Sequence, residues 1–135
     1  MAKELIDIIE YTGPGYMPLV DFSQWRVAIL NFDEKYLIKN INYFQKHDET
    51  DEVFVLLAGN CTLLAADENE ILNITAIKME PLKVYNIEKG ILHSHILSED
   101  AKILVIENID TTVQNSPVVM LSAISKRILF ETLSV

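Results

Sequence analysis

The 135-residue sequence predicts an all-β sandwich or barrel with a short C-terminal helix, on three observations. Roughly seven or eight short runs rich in β-branched and aromatic residues recur about every ten residues, with turn residues between them. No helical crossover separates the runs, so antiparallel pairing is the default. Only Val118 to Leu133 spaces its apolar residues (Leu121, Ile124, Ile128, Leu129 and Leu133) close to a helical period.

The runs follow in order. Residues 3 to 11, KELIDIIEY, fit a short helix or an edge strand equally well. Thr12 to Pro18 gathers two glycines and two prolines and reads as a loop. Gln24 to Phe32 is a strand, Asp33 to Lys35 a turn, and Tyr36 to Lys46 alternates as a second strand. Asp48 to Asp51 turns the chain into Glu52 to Ala58, the longest apolar run, which Gly59 closes. Asn60 to Ala66 and Ile71 to Ala76 are strands joined by a hairpin turn at Asp67 to Glu70. Met79 to Pro81 breaks the chain before a strand at Leu82 to Ile87, and Ala101 to Glu107 is the last predicted strand. Asp110 to Pro117 reads as a loop, and the helix over 118–133 takes Ser122 or Ser125 as its cap.

Composition bounds the function classes. At 15.4 kDa the chain is expected to form one domain over 1–135 that buries roughly two thirds of its unfolded surface. Its longest apolar run is far shorter than the ~20 residues of a membrane span, so no membrane association is expected. The single cysteine, Cys61, cannot form an internal disulfide and is read as a packed thiol, and MAKELIDII does not read as a secretion signal. A cytoplasmic location is the expectation. A net charge of −9 with no Lys/Arg cluster disfavours nucleic acid as a partner and is read as aiding solubility.

Two polar stretches stand out. On an extended chain Gln45 and His47 share a face, and Glu52 falls in phase with Phe54 and Leu56. A carboxylate on the core face needs a partner, since an unpaired buried charge costs several kcal/mol or more. The second stretch, Glu88 to Ile96, carries Gly90 and then His93 and His95 on one strand face, so all three histidines lie in these two places. Tyr36, Tyr43, Tyr85 and Trp25 are read as core.

These residues resemble the cupin superfamily, double-stranded β-helix proteins whose first motif is G-x5-H-x-H-x3,4-E-x6-G and whose second is G-x5-P-x-G-x2-H-x3-N. Gln45-x-His47-x4-Glu52-x6-Gly59 lies in register with the first, and Gly90-x2-His93 with the second. Lys39, Gln45, Leu82, Glu88 and Leu97 depart from the pattern, Gln45 standing where the first histidine would be. The resemblance covers residues 24 to 107 and implies a jelly-roll barrel there. It further implies a metal ion held by His47, Glu52 and His93, with Gln45 as an amide ligand in the missing histidine's place. His95 is then a further inner polar group or support for the ligands, and Glu49 a weaker substitute ligand from the turn.

Imidazoles and a carboxylate suit a divalent transition metal with open positions, and ligand type does not separate zinc, iron, manganese and nickel. The leading expectation is a small cupin that binds such an ion and a small polar molecule, a sugar or a carboxylate. Any reaction would be metal-assisted isomerisation, lyase chemistry or oxygen-dependent cleavage; no catalytic residue is assigned. The alternatives are a metal-free ligand-binding or regulatory module, and a metal-free epimerase of sugar nucleotides using histidine and tyrosine. The last lacks a basic cluster for a diphosphate. The resemblance also implies a homodimer, with the apolar C-terminal segment as a candidate surface.

Overall fold

A computed structural model describes residues 5–67 and 73–133. Ten strands follow one another: β1 (Tyr16–Phe22), β2 (Trp25–Asn31), β3 (Tyr43–Gln45), β4 (Glu52–Ala58), β5 (Cys61–Ala66), β6 (Ile74–Lys78), β7 (Val84–Ile87), β8 (Leu92–Leu97), β9 (Lys102–Asn108) and β10 (Val118–Met120). Among the described residues one helix, α1 (Ala123–Leu133), follows them. The strands form two antiparallel five-stranded sheets, ordered β1-β2-β9-β4-β7 and β10-β3-β8-β5-β6.

Alternation explains how the sheets close on each other. In β4 the residues Glu52, Phe54 and Leu56 are buried, and Leu30, Ile103 and Val105 meet them from β2 and β9. Cys61, Leu63 and Leu97 face the same interior from the second sheet. Burial pushes the Cys61 thiol up to about 12, as befits a packed cysteine. The other face of the second sheet, with Phe44, Leu64, Ala66, Ile74 and Leu92, is sealed by Leu121 and Leu129 from the C-terminal segment. β5 and β8 are therefore covered on both faces, which is why CTLLAA reads as a near-continuous apolar run.

The expected C-terminal helix is present and packs on its own barrel, but it begins at Ala123 and not at Val118. Val118 to Met120 instead pair with Gln45, Phe44 and Tyr43, and the Ser122 hydroxyl accepts the Ser125 N–H at 3.0 Å as the cap.

Three other expectations change. The reading of Tyr36 to Lys46 as one strand fails: two short 3-10 turns, Glu34–Tyr36 and Ile38–Asn40, come first, and only Tyr43–Gln45 pair. Asn40 and Asn42 donate to nearby backbone carbonyls at 2.8 and 3.2 Å, competing with a ladder. The loop expected at Thr12 to Pro18 ends early, because Tyr16 to Phe22 form an edge strand where Pro18 costs no ladder bond and the register slips beside it. Neither form expected for residues 3–11 is seen over its described part, 5–11, which runs without helix or strand. The core thus extends beyond 24–107 on both sides, while most of the hairpin turn expected at Asp67 to Glu70 lies outside the described residues. Among the described residues no helix is long and apolar enough to cross a membrane.

Candidate metal centre

β4 and β8 bring the two polar stretches together from opposite sheets. His93, the second residue of β8, faces inward and pairs in register with Gln45 of β3, while Glu52 opens β4 on the same face as Phe54. His47 sits just after β3, and its carbonyl accepts the Gly90 N–H at 2.8 Å, which ties the two stretches to each other. Gly90 has φ +82 and open space where a Cβ would lie, so its role there is conformational.

His47, Glu52 and His93 are all buried, and one ligand atom from each lies within 4.8 Å of the other two. Glu52 Oε1 is 3.3 Å from His47 Nε2 and 3.0 Å from His93 Nε2. The remaining ring nitrogens are committed elsewhere: His93 Nδ1 lies 2.9 Å from the Ile91 carbonyl, and His47 Nδ1 lies 2.7 Å from Ser116 Oγ. A carbonyl only accepts, so His93 Nδ1 carries a proton; Ser116 Oγ donates to Asn115 Oδ1 at 3.3 Å and so accepts from His47 Nδ1. In neutral rings both Nε2 atoms are then lone pairs aimed at a carboxylate oxygen. Three acceptors facing one another call for protons or a cation between them.

The electrostatics agree. Burial alone would raise Glu52, but hydrogen bonds from His47 and His93 hold its carboxyl well below the usual range. For His93 burial opposes the charged form, and the Glu52 carboxylate outweighs it and raises the ring. Ser116 orients His47 from behind; Ser116→Ala is expected to weaken divalent-metal binding by about 10- to 100-fold with little change in fold, measured by titration calorimetry.

Gln45 also faces the cavity, its amide nitrogen donating to the Ser116 carbonyl at 2.9 Å. Glu49 is corrected: it is exposed in the turn and lies outside the three-residue group. His95 does not support the ligands either. Neither of its ring nitrogens has a hydrogen-bond partner among the described residues, and the ring packs 4.7 Å from Tyr36 and 5.9 Å from Phe54. Burial lowers it to about 4, so it is neutral at pH 7. Tyr36 packs against the core as expected and also lines the cavity; Tyr43, expected in the core, is half-exposed at the cavity, and Trp25 is exposed on the outer side of β2.

One candidate residue was not anticipated. Glu107, next to last in β9, lies on the inner face, with Tyr16 O–H donating to it. It follows Ile103 and Val105 at the core period, the same signal that marks Glu52, and that phase was the available clue. Burial first, and the Glu52 carboxylate second, push Glu107 up to about 8, so the neighbouring carboxyls divide into one ionised and one protonated. A carboxyl raised from 4.5 contributes stability below that pH and loses it as pH rises towards 8. Glu107→Gln in metal-free protein is therefore expected to gain on the wild type over that window; urea midpoints at about pH 5 and about pH 8 check it.

Tyr16, Tyr36, Tyr43, His47, Glu52 and Glu107 are among the residues lining a cavity of about 400 Å³. Ten antiparallel strands in two facing sheets around such a pocket match solved barrels. A cupin-2 domain protein from Shewanella frigidimarina superposes with a TM-score of 0.51 at 21% identity, over 72% of this chain and 84% of that one. The chain has the cupin fold. Oxalate decarboxylase from Bacillus subtilis shares this cupin barrel with a TM-score of 0.52 at 12% identity, over 70% of this chain and 23% of that one. Pac13, a nucleoside dehydratase, gives 0.56 at 8% identity, over 85% and 87%. No family model and no curated protein matches the sequence of this cupin barrel.

Proposed function

We propose that this cupin barrel holds a divalent transition metal through His47, Glu52 and His93, beside Gln45, and binds a small polar molecule, a sugar or a carboxylate, in the cavity. The observation that carries the proposal is the convergence of two imidazole lone pairs on one carboxylate oxygen, each ring fixed from behind by its Nδ1 contact. The two separations from Glu52 suit an ion. Ligand atoms ~2.1 Å from a metal at tetrahedral to octahedral angles lie ~3.0–3.4 Å apart, and the Glu52 contacts are 3.0 and 3.3 Å.

When bound, such an ion polarises an oxygen of the ligand as a Lewis acid, chemistry that serves isomerisation, elimination or oxygen-dependent cleavage. The chain's own groups do the rest. Ser116 and the Ile91 carbonyl hold the ring tautomers, and Glu107, tethered by Tyr16, places a protonated carboxyl in the cavity wall. A cavity of about 400 Å³ is in the range of small-molecule sites.

The alternative is a metal-free ligand-binding module, favoured by the same Glu52–His93 contact read as a carboxylate–imidazolium pair. Thermal-shift titration of chelator-treated protein with zinc, iron, manganese and nickel separates the two. An ion at a hundred times its Kd stabilises the fold by about 2.7 kcal/mol; no shift with any of the four supports the metal-free module. Small acids and sugars are then screened on the form that binds best.

A further inference from the structure

Arg26 is a base on the inner phase of the first sheet. It alternates with the core residues Ala28 and Leu30, and it pairs across the ladders with Glu107 of β9 and Asp21 of β1. Its side chain lines the cavity and is only 18% exposed. A cation held on that face needs acceptors, because a charge taken out of water unpaired is costly. Asp21 supplies only some of them. Its carboxylate, which is exposed and does not line the cavity, accepts Nε–H at 2.9 Å and an Nη2–H at 3.3 Å and so fixes one edge of the guanidinium.

The other edge is short of partners. Burial and then Glu107 raise the Tyr16 phenol, and the Arg26 charge acts against them, which puts the guanidinium beside Tyr16 in the cavity wall. An arginine has five N–H donors. Asp21 takes two and the Tyr16 oxygen at most a third, so two or more donors on the Nη groups have no acceptor among the described residues.

A second base reaches the cavity from the side of β8. Lys35, in the 3-10 turn Glu34–Tyr36, lines the same space with its ammonium 5.1 Å from the centre of the Tyr36 ring, and Tyr36 packs on His95. Lys35 has no ion pair among the described residues. The wall therefore reverses the balance of the chain. It holds two bases, Arg26 and Lys35, and two acids, Glu52 and Glu107, against 11 and 20 in the whole sequence. Both acids are already engaged, Glu52 by two imidazoles and Glu107 by the Tyr16 hydroxyl.

We infer that the cavity takes a small organic acid, its carboxylate received by the free Nη donors of Arg26, with Lys35 as the second cation. This deepens the reading that the cavity binds a small polar molecule and does not depend on the ion. A chain of net −9 repels anions at long range, so an anionic ligand requires local cations with donors to spare. Two coplanar N–H bonds of a guanidinium match the two oxygens of a carboxylate, a fit that a neutral hydroxyl or amide lacks. Asp21 holds the head group in place from outside, so little ordering remains for the ligand to impose.

NMR titration of the labelled full chain tests the inference, once after chelator treatment and once with zinc added. The probes are lactate, malate and gluconate, their neutral counterparts lactamide and glucose, and inorganic phosphate. At least one acid is expected to bind about tenfold or more tightly than every neutral probe and than phosphate. Arg26→Met is expected to weaken that acid about 10- to 100-fold, and Arg26→Lys, which keeps the charge and loses the fork, to recover part of the loss. Lys35→Gln changes an exposed side chain, leaves the fold intact and is expected to weaken the acid about 2- to 5-fold. The inference is overturned if acids and neutral probes bind alike, if phosphate matches the best acid, if no acid binds up to about 10 mM, or if the Arg26 and Lys35 variants both keep full affinity. Failure of the metal reads differently: no ion binds, while the chelator-treated protein still prefers the acid.

Discussion

Replacing Glu52 by glutamine is expected to weaken divalent-metal binding by more than about two orders of magnitude, since losing even a group behind a ligand costs about 10- to 100-fold. Both imidazoles point at one oxygen of this carboxylate, so the substitution removes the negative charge and the common acceptor together. The amide keeps the volume beside Phe54 and avoids a cavity. The metal-free variant is also expected to respond differently to acid. Glu52 is held below its ordinary 4.5, so the stability it contributes is present above that value and is lost as pH falls through the lower folded value. The variant lacks this contribution at every pH, so it is less stable than the wild type above about 4.5, approaches it in acid, and its stability falls less steeply as pH drops. Titration calorimetry and an acid-unfolding curve check both outcomes.

Gly59→Ala is expected to cost about 3 kcal/mol or more, a large part of the roughly 5–15 kcal/mol of a typical domain. Gly59 joins β4 to β5 with φ +69, and an added Cβ would lie 2.6 Å from the Ala101 nitrogen. That neighbour is backbone, and the Ala101 N–H is bound to the Ser98 carbonyl at 3.0 Å, so it cannot give way cheaply. Gly90→Ala is the control. Its φ is +82 but nothing lies within 4 Å of the added carbon, so only the conformational cost of about 1–2 kcal/mol applies. Urea unfolding of the two variants measures the difference; equal losses would mean that steric contact at Gly59 contributes nothing.

The fold class was legible because the strands facing the core keep period-two alternation. The candidate centre was legible because Glu52 breaks that alternation in polarity while keeping its phase. His47 and His93, 46 residues apart in number, were linked by the family spacing and by nothing local. What stayed hidden had competing local signals. Pro18 masked β1, since an edge strand tolerates proline and a sequence does not announce its edges. The residues around Asn40 and Asn42 alternate like a strand, but their side chains satisfy backbone groups locally. Val118 to Met120 sit within an apolar segment whose spacing suited a helix, and pairing with β3 decided otherwise. Glu107 carried the same phase signal as Glu52, without a motif to draw attention to it.

Metal content per chain, measured by elemental analysis of protein purified without chelators, tests the proposed centre most directly. Wild-type protein is expected to carry about one equivalent of a divalent transition metal, and the His47→Ala, His93→Ala double variant less than about a tenth of that. Equal metal in the two proteins, or none in the wild type after loading with each candidate ion, contradicts a centre at His47, Glu52 and His93.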